Sequence, residues 1–392
     1  MAAQAGAVLC LILAGCSAFT ETNDGGPAEA GSDLLPPISC TGTSLRAHQP
    51  LGKAAQDSYS ASLAPRASGG ALAVWEERPT SGAASIYLAE VEALGTVTNA
   101  HKLVSGQDPV LIQTAAGLRL LWRDGTALKL LRLDERGAAQ GGAVTVHSPL
   151  TSTFVVADSG EALGILLNGV DAKGDLVHFM LTDHDGKQLA APTKLPQQGT
   201  NSTLANIAWT GSRFAAAWTD MRAGTPAVYF AMLDQQGKRL TNDLRLSEAG
   251  VRGSYPTLAP QYNGGAVACY QQKMSNDIQD VFCSRLDGAG QVTNTTRLTQ
   301  SAYDSQNPRV AANGSHTWVV WDDVYDVNDG TAIHWQFLKA SGEPVLAAPK
   351  HSADLLGWRP AVLAAPDGLY LTKYRQDHLE GWKAELGVLN CF

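Results

Sequence analysis

Four tryptophans in this chain are each followed, two residues later, by a carboxylate: Trp75 by Glu77, Trp122 by Asp124, Trp218 by Asp220 and Trp321 by Asp323. Arg78, Arg222 and a second acid, Asp322, stand beside them. Upstream of similar landmarks lie Asp57, Tyr59, Asp108, Arg252, Tyr255, Tyr303, Asp304, Trp358 and Arg359. Aromatic faces stack on sugar rings, while carboxylates and guanidinium groups make paired hydrogen bonds to hydroxyls and acids. Carbohydrate recognition is the chemistry that this mixture suits. An acid recurring at one offset is nevertheless more simply structural, capping a hairpin turn or bridging to the next unit. Tyr255, Tyr303 and Trp358 do not follow the recurrence and are the better ligand-binding candidates, with Arg359, Asp220, Arg222 and Asp323 beside them. No catalytic residue is assigned.

Other chemistry is thinly represented. The acid-rich stretch DVYDVNDGTA (323–332) misses the spacing of a calcium loop, with Tyr325 and Val327 where ligands should stand, and reads as a solvated hairpin tip. No histidine or cysteine pair has zinc-ligand spacing, and neither a Gly-x-Ser-x-Gly elbow nor a phosphate loop occurs. The sequence therefore calls for no metal and no cofactor. A net charge of −8 without a basic cluster argues against nucleic acid as a partner.

The elements that must position these residues repeat about every fifty residues. One landmark is a tight turn ending in glycine, at Gly95, Gly137, Gly186, Gly237, Gly290 and Gly342, entered from alternating stretches such as AVYFAMLD. The second is a small-apolar run ending in an aromatic, at Trp75, Trp122, Trp218, Tyr270 and Trp321, with degenerate copies at Leu167 and Lys373. A third run precedes each of these. Four short strands per unit and seven units predict an all-β, seven-bladed β-propeller, a fold whose innermost strands crowd a central channel.

The two ends complete one unit. GVLNCF, at the C-terminus, aligns with AMLDQQ of the fourth unit and stops inside the turn. ISCTG, around Cys40, aligns with LDQQG, so residues 42–56 should supply the last blade with its fourth strand. Cys40 and Cys391 then share one turn position, and a disulfide between them would replace the missing peptide connection. The chain-entropy model credits such a bond with about 5 kcal/mol. Cys269 and Cys283 fall on adjacent strands of one hairpin and are expected to form the second disulfide.

The apolar run from Ala5 to Ala14 is too short to span a bilayer and suits a signal-peptide core. It ends in Leu13-Ala14-Gly15-Cys16, which resembles the lipobox of bacterial lipoproteins. That resemblance implies a signal peptide over 1–15, lipid on Cys16, a flexible tether over 16–38 and the propeller over 39–392. Ser17 after the lipid-bearing cysteine implies the outer membrane of a bacterial envelope, with the lipid anchor as the membrane contact. The repeat logic is also similar to that of secreted sialidase-like propellers, although their Ser-x-Asp-x-Gly-x-x-Trp box is absent and no catalytic residue is carried over. The expected function is a monomeric, non-catalytic binding module for a protein partner or surface glycan. The alternative is a glycan-active hydrolase or lyase, which would need paired carboxylates over the channel.

Overall fold

The computed structural model describes residues 43–52, 56–150, 152–168, 176–199, 201–261, 263–313, 316–326, 330–365, 368–377 and 381–391. The expected signal peptide, the tether with Cys16, and Cys40 with its expected bond to Cys391 lie outside the described residues. The strand β1 (Thr43–Pro50) comes first among the described residues. Blade 1 follows as β2 (Asp57–Pro65), β3 (Ala71–Arg78), β4 (Ser85–Val91) and β5 (Val97–Ser105). Blade 2 is β6 (Gln107–Thr114), β7 (Gly117–Asp124), β8 (Ala127–Leu133) and β9 (Val144–His147). Blade 3 is β10 (Phe154–Asp158), β11 (Leu163–Asn168), β12 (Val177–Thr182) and β13 (Gln188–Lys194). Blade 4 is β14 (Ser202–Trp209), β15 (Phe214–Asp220), β16 (Ala227–Leu233) and β17 (Leu244–Arg245). Blade 5 is β18 (Gly253–Pro260), β19 (Ala266–Lys273), β20 (Gln279–Leu286) and β21 (Val292–Arg297). Blade 6 is β22 (Asp304–Asn313), β23 (His316–Asp326), β24 (Gly330–Lys339) and β25 (Lys350–Leu356). Blade 7 is β26 (Trp358–Ala365), β27 (Gly368–Asp377) and β28 (Gly381–Cys391), with β1 as its outer strand.

The chain is thus a seven-bladed β-propeller of four-stranded antiparallel blades, closed by its N-terminal strand. Thr43 stands opposite Cys391 and Pro50 opposite Glu385. The added strand stops at Pro50 rather than at residue 56, and proline has no N–H with which to continue a ladder. Blade 1 then starts at Asp57, whose carboxylate accepts from Trp382 N at 2.8 Å, while Ser58 Oγ accepts from Ala384 N at 2.7 Å.

Second strands read as near-continuous apolar runs because both of their faces are covered. Along β3, Ala71, Ala73 and Trp75 pack against Tyr370, Leu386 and Val388 of blade 7. Leu72 and Val74 point the other way, against Leu118, Leu120 and Trp122 of blade 2. A slip of one residue would exchange these two sets, so the register is strongly specified. Outer strands face water, and β21 (VTNTTR) is almost wholly exposed.

The glycine turn has a uniform chemistry. At Asp134, Asp183, Asp234 and Asp287 one side-chain oxygen accepts from the N–H groups two and four residues on. The glycine of each turn adopts a φ between 78° and 87°, the left-handed conformation such a three-residue hairpin needs. Cys269 and Cys283 face each other directly in the β19–β20 ladder and are disulfide-bonded, as their hairpin positions lead one to expect.

Candidate functional site: the channel end of blades 5, 6, 7, 1 and 2

In three of the four copies the acid two residues after the landmark tryptophan is an indole acceptor, the exception being Asp124, which is exposed. Trp75 Nε1 donates to Glu77 at 3.0 Å, Trp218 Nε1 to Asp220 at 3.2 Å and Trp321 Nε1 to Asp323 at 2.9 Å. Buried Asp220 also accepts from Arg222 N and pairs with its guanidinium at 2.7 Å. Arg222 lies over the Tyr229 ring and reaches Asp243 as well. Asp323 is buried, and that burial pushes its carboxyl up to about 6 against its bonds to Ser305 and Trp321. Asp220, Arg222 and Asp323 are therefore engaged within their own blades.

The residue immediately after the landmark behaves differently. In the seven blades it is Glu76, Arg123, Asn168, Thr219, Gln271, Asp322 and Tyr374, polar in every case at the end of an apolar run. Being one position on, it faces the following blade. Its partner there is a bulge in the first strand, where Ser60, Asp108, Leu204, Tyr255, Asn307 and Arg359 all adopt φ between 49° and 55°. Non-glycine residues reach this left-handed region at a cost, and the neighbouring blade holds them there. Asp108 N donates to Glu76 at 3.0 Å, Ala205 N to Asn168 at 3.3 Å, and Asn307 N to Gln271 at 2.9 Å. Arg359 N donates to Asp322 at 3.3 Å and Ala61 N to the Tyr374 hydroxyl at 2.8 Å. Tyr255 and Arg359, picked out in the sequence by different arguments, occupy one repeated position.

These bulges bring side chains of five blades together. Arg309 of blade 6 shares its surroundings with Asp322, Tyr374, Arg359 and Tyr255, whose charges act on it. Burial holds the Arg309 guanidinium below its usual pKa. Tyr374 is pushed up to about 12 by burial, against the pull of Ala61 N, Arg309 and Arg359, while Glu76 pushes it further up. Across the seam to blade 1, Tyr59 lies 6.4 Å from Tyr374, ring centre to ring centre, and Arg78 caps the Tyr59 ring at 4.5 Å. Arg78 pairs with Glu76, and Arg123 pairs with Asp108 at 2.8 Å. Among the described residues neither Arg309 nor Arg359 has a carboxylate within ion-pair distance.

The carboxylates of this cluster are spent on the scaffold. Glu76 and Asp322 are fully buried. Glu76 serves Arg78 and Asp108 N, while Asp322 serves Arg359 N and Asn307 Nδ2 at 3.1 Å. Burial pushes Asp322 up to about 7, its hydrogen bonds and Arg309 pulling the other way. Arg359 is exposed, and Tyr255, Tyr374 and Arg309 are half-buried at the surface between them. This surface offers cations and aromatic rings to a ligand rather than carboxylates.

Of the remaining sequence candidates, Tyr303 is 43 % exposed in the connection into blade 6. Trp358 pairs with Tyr374 in the backbone ladder, and its side chain lies outside the described residues. Asp57 accepts from the Tyr59 hydroxyl at 3.0 Å. Asp124 and Arg252 are exposed, and Asp304 accepts from Gln279 N at 2.7 Å. Arg309, Tyr374 and Glu76 were not singled out by sequence reasoning, although a polar residue after every landmark was there to be read. Among the described residues no three His, Cys, Asp or Glu side chains converge as metal ligands.

No family model matches the sequence, and no curated protein matches it. Solved structures resemble it in fold. A protein of unknown function from Dyadobacter fermentans DSM 18053 is 13% identical, with a TM-score of 0.53 over 91% of this chain and 100% of that one. An α-L-arabinanase of Penicillium chrysogenum, solved with arabinobiose, is 12% identical, with a TM-score of 0.47 over 91% of this chain and 99% of its own. A subtype N11 neuraminidase-like protein of A/flat-faced bat/Peru/033/2010 is 8% identical, with a TM-score of 0.45 over 92% and 96%. At these identities the likeness is one of fold alone.

Proposed function

We propose that this protein is a lipid-anchored, exported binding module of a bacterial envelope that holds an anionic glycan at the channel end of its propeller, without turning it over. The observation that carries this reading is the pair Arg309 and Arg359, neighbours on adjacent blades and not ion-paired among the described residues. Guanidinium groups in this state recognise carboxylates through paired, charge-assisted hydrogen bonds, and Tyr255 and Tyr374 supply ring faces for a sugar. A binding role is favoured over a hydrolase or lyase because Glu76 and Asp322 are buried and committed to neighbouring backbone. Most glycosidases need two carboxyl groups that reach the scissile bond. Anchoring through Cys16 at the outer membrane belongs to the same proposal and rests on the lipobox resemblance.

The test is an array of acidic and neutral glycans probed with a soluble fragment starting at Leu35. Selective capture of uronic or other carboxylated glycans, lost in Arg359→Ala, is the expected result. Equal capture of neutral glycans, or capture untouched by Arg359→Ala, would refute the reading. Globomycin-sensitive incorporation of labelled palmitate, abolished in Cys16→Ala, checks the anchor separately.

A further inference from the structure

Blade 2 departs from the repeat at one buried position. Three residues before each landmark the blades carry Leu72, Gly164, Ala215, Val267, Trp318 and Tyr370, all small or apolar, but blade 2 carries Arg119. This side chain is 5% exposed. The strand ladder sets it directly opposite Arg132, so two guanidinium groups share one face of the sheet. Like charges at such a cross-strand position oppose folding. At the corresponding pairs the other blades avoid this, with Leu72 opposite Glu90 and Val267 opposite Arg285. Burial and the charge of Arg132 both hold Arg119 below its usual pKa.

Nearby acids compensate incompletely. Asp185 lies 3.7 Å from each guanidinium and is itself 64% exposed, hence screened by solvent. Asp158 also faces Arg119 but is engaged by His184 Nε2 at 2.7 Å and by Ala115 N and Gly160 N. Arg119 Nε donates to the His184 carbonyl at 2.6 Å, which holds the side chain in place without neutralising it. Above the pair opens a cavity of about 400 Å³, bordered by Ala116, Arg119, Arg132, Gln140 and Gly141. Gly141, at a φ of 94°, lies at its edge.

We propose that this cavity is a second anion site, taking a phosphate group between Arg119 and Arg132 with the Gln140 amide at its rim. Two guanidinium charges against one screened carboxylate match a dianion better than a single carboxylate, and guanidinium groups suit its oxygens. The site lies away from the channel-end cluster, because Arg119 and Arg123 sit towards opposite ends of β7. A soluble phosphate ester and a phospholipid headgroup present the same chemistry.

Thermal melts and calorimetric titration with inorganic phosphate, against chloride at equal ionic strength, test the site directly. Phosphate should raise the melting temperature of the wild type and of Arg359→Ala. Arg132→Gln, at an exposed position, should bind phosphate at least about tenfold more weakly, the loss of one charge-assisted hydrogen bond. Arg119→Leu should lose the response while melting no lower than the wild type in chloride, since an apolar residue is the rule at this position. A wild type indifferent to phosphate, or a response undiminished in Arg132→Gln, would overturn the proposal. Co-sedimentation with phosphatidylglycerol vesicles then separates the sources. Arg132-dependent sedimentation assigns a headgroup, and its absence beside a phosphate response assigns a soluble ester.

Discussion

Asp322 is the residue at which the proposed ligand site and protonation meet. Its buried carboxyl titrates near pH 7 beside Arg309 and Arg359. Below that pH it is neutral and both guanidinium charges are available to an anionic ligand. As the pH rises through about 7 it ionises and cancels part of their field, so affinity for a carboxylated glycan should fall. Titrations between pH 6 and pH 8 on the wild type and on Asp322→Asn should show a decline in the first and a flat profile in the second. An identical slope in both would place the titrating group elsewhere. Arg359→Ala should weaken binding by about 10- to 100-fold, the range for a charge-assisted hydrogen bond. The sequence displays all of these residues but not which of them meet. Tyr255 and Arg359 were legible as candidates from their types and their place before a strand. Arg309 was not, because its relevance comes from a bulge that turns five first strands towards one point, and Tyr374 was marked only as the polar residue after a landmark.

At the scale of the element, the acid holds within its own blade the tryptophan that packs against the preceding one. Removing the acid strands a buried partner. Asp220→Ala leaves the Trp218 indole N–H and one side of Arg222 without their acceptor, and truncating one member of a buried pair typically costs about 3–5 kcal/mol. Urea unfolding of Asp220→Ala should show that loss, while glycan binding by the folded fraction stays unchanged. Loss of binding with stability intact would instead return Asp220 to the ligand site. The strands themselves were readable in advance, since a run such as FAAAWTD is apolar on both faces and the glycine turn recurs after it. The charged one of the two degenerate landmarks, Lys373, has a local explanation: its ammonium group pairs with Glu385 across the β27–β28 ladder.

At the scale of the whole molecule, the ring is closed along one seam, β1 on β28. His48 of β1 bonds Glu385 at 2.9 Å, and Lys373 meets the same carboxylate. Despite its burial, these partners hold Glu385 down at about 2, against 4.5 for an ordinary glutamate. A depressed carboxylate stabilises the fold fully above pH 4.5, and that contribution is lost as the pH falls towards 2. Hydrogen exchange during acid titration should therefore find blade 7 opening first in that window. Glu385→Gln should be less stable at pH 7 and show a shallower acid dependence. Deleting residues up to Pro50 would expose the edge of β28 and should drive aggregation of the remaining ring. That the ends complete one blade was evident from the repeat alignment, whereas the ion pairs across the seam were not, because His48 and Glu385 are 337 residues apart. The function proposed for the channel end is that a carboxylated glycan is bound by Arg309 and Arg359 and is not cleaved. The most direct measurement is calorimetric titration of the wild type and Arg359→Ala with an oligo-uronate, with reducing ends and unsaturated products assayed in the same samples. The expected result is saturable binding by the wild type, a loss in Arg359→Ala and an oligosaccharide recovered intact. Accumulating cleavage products, or binding unchanged by the substitution, would contradict it.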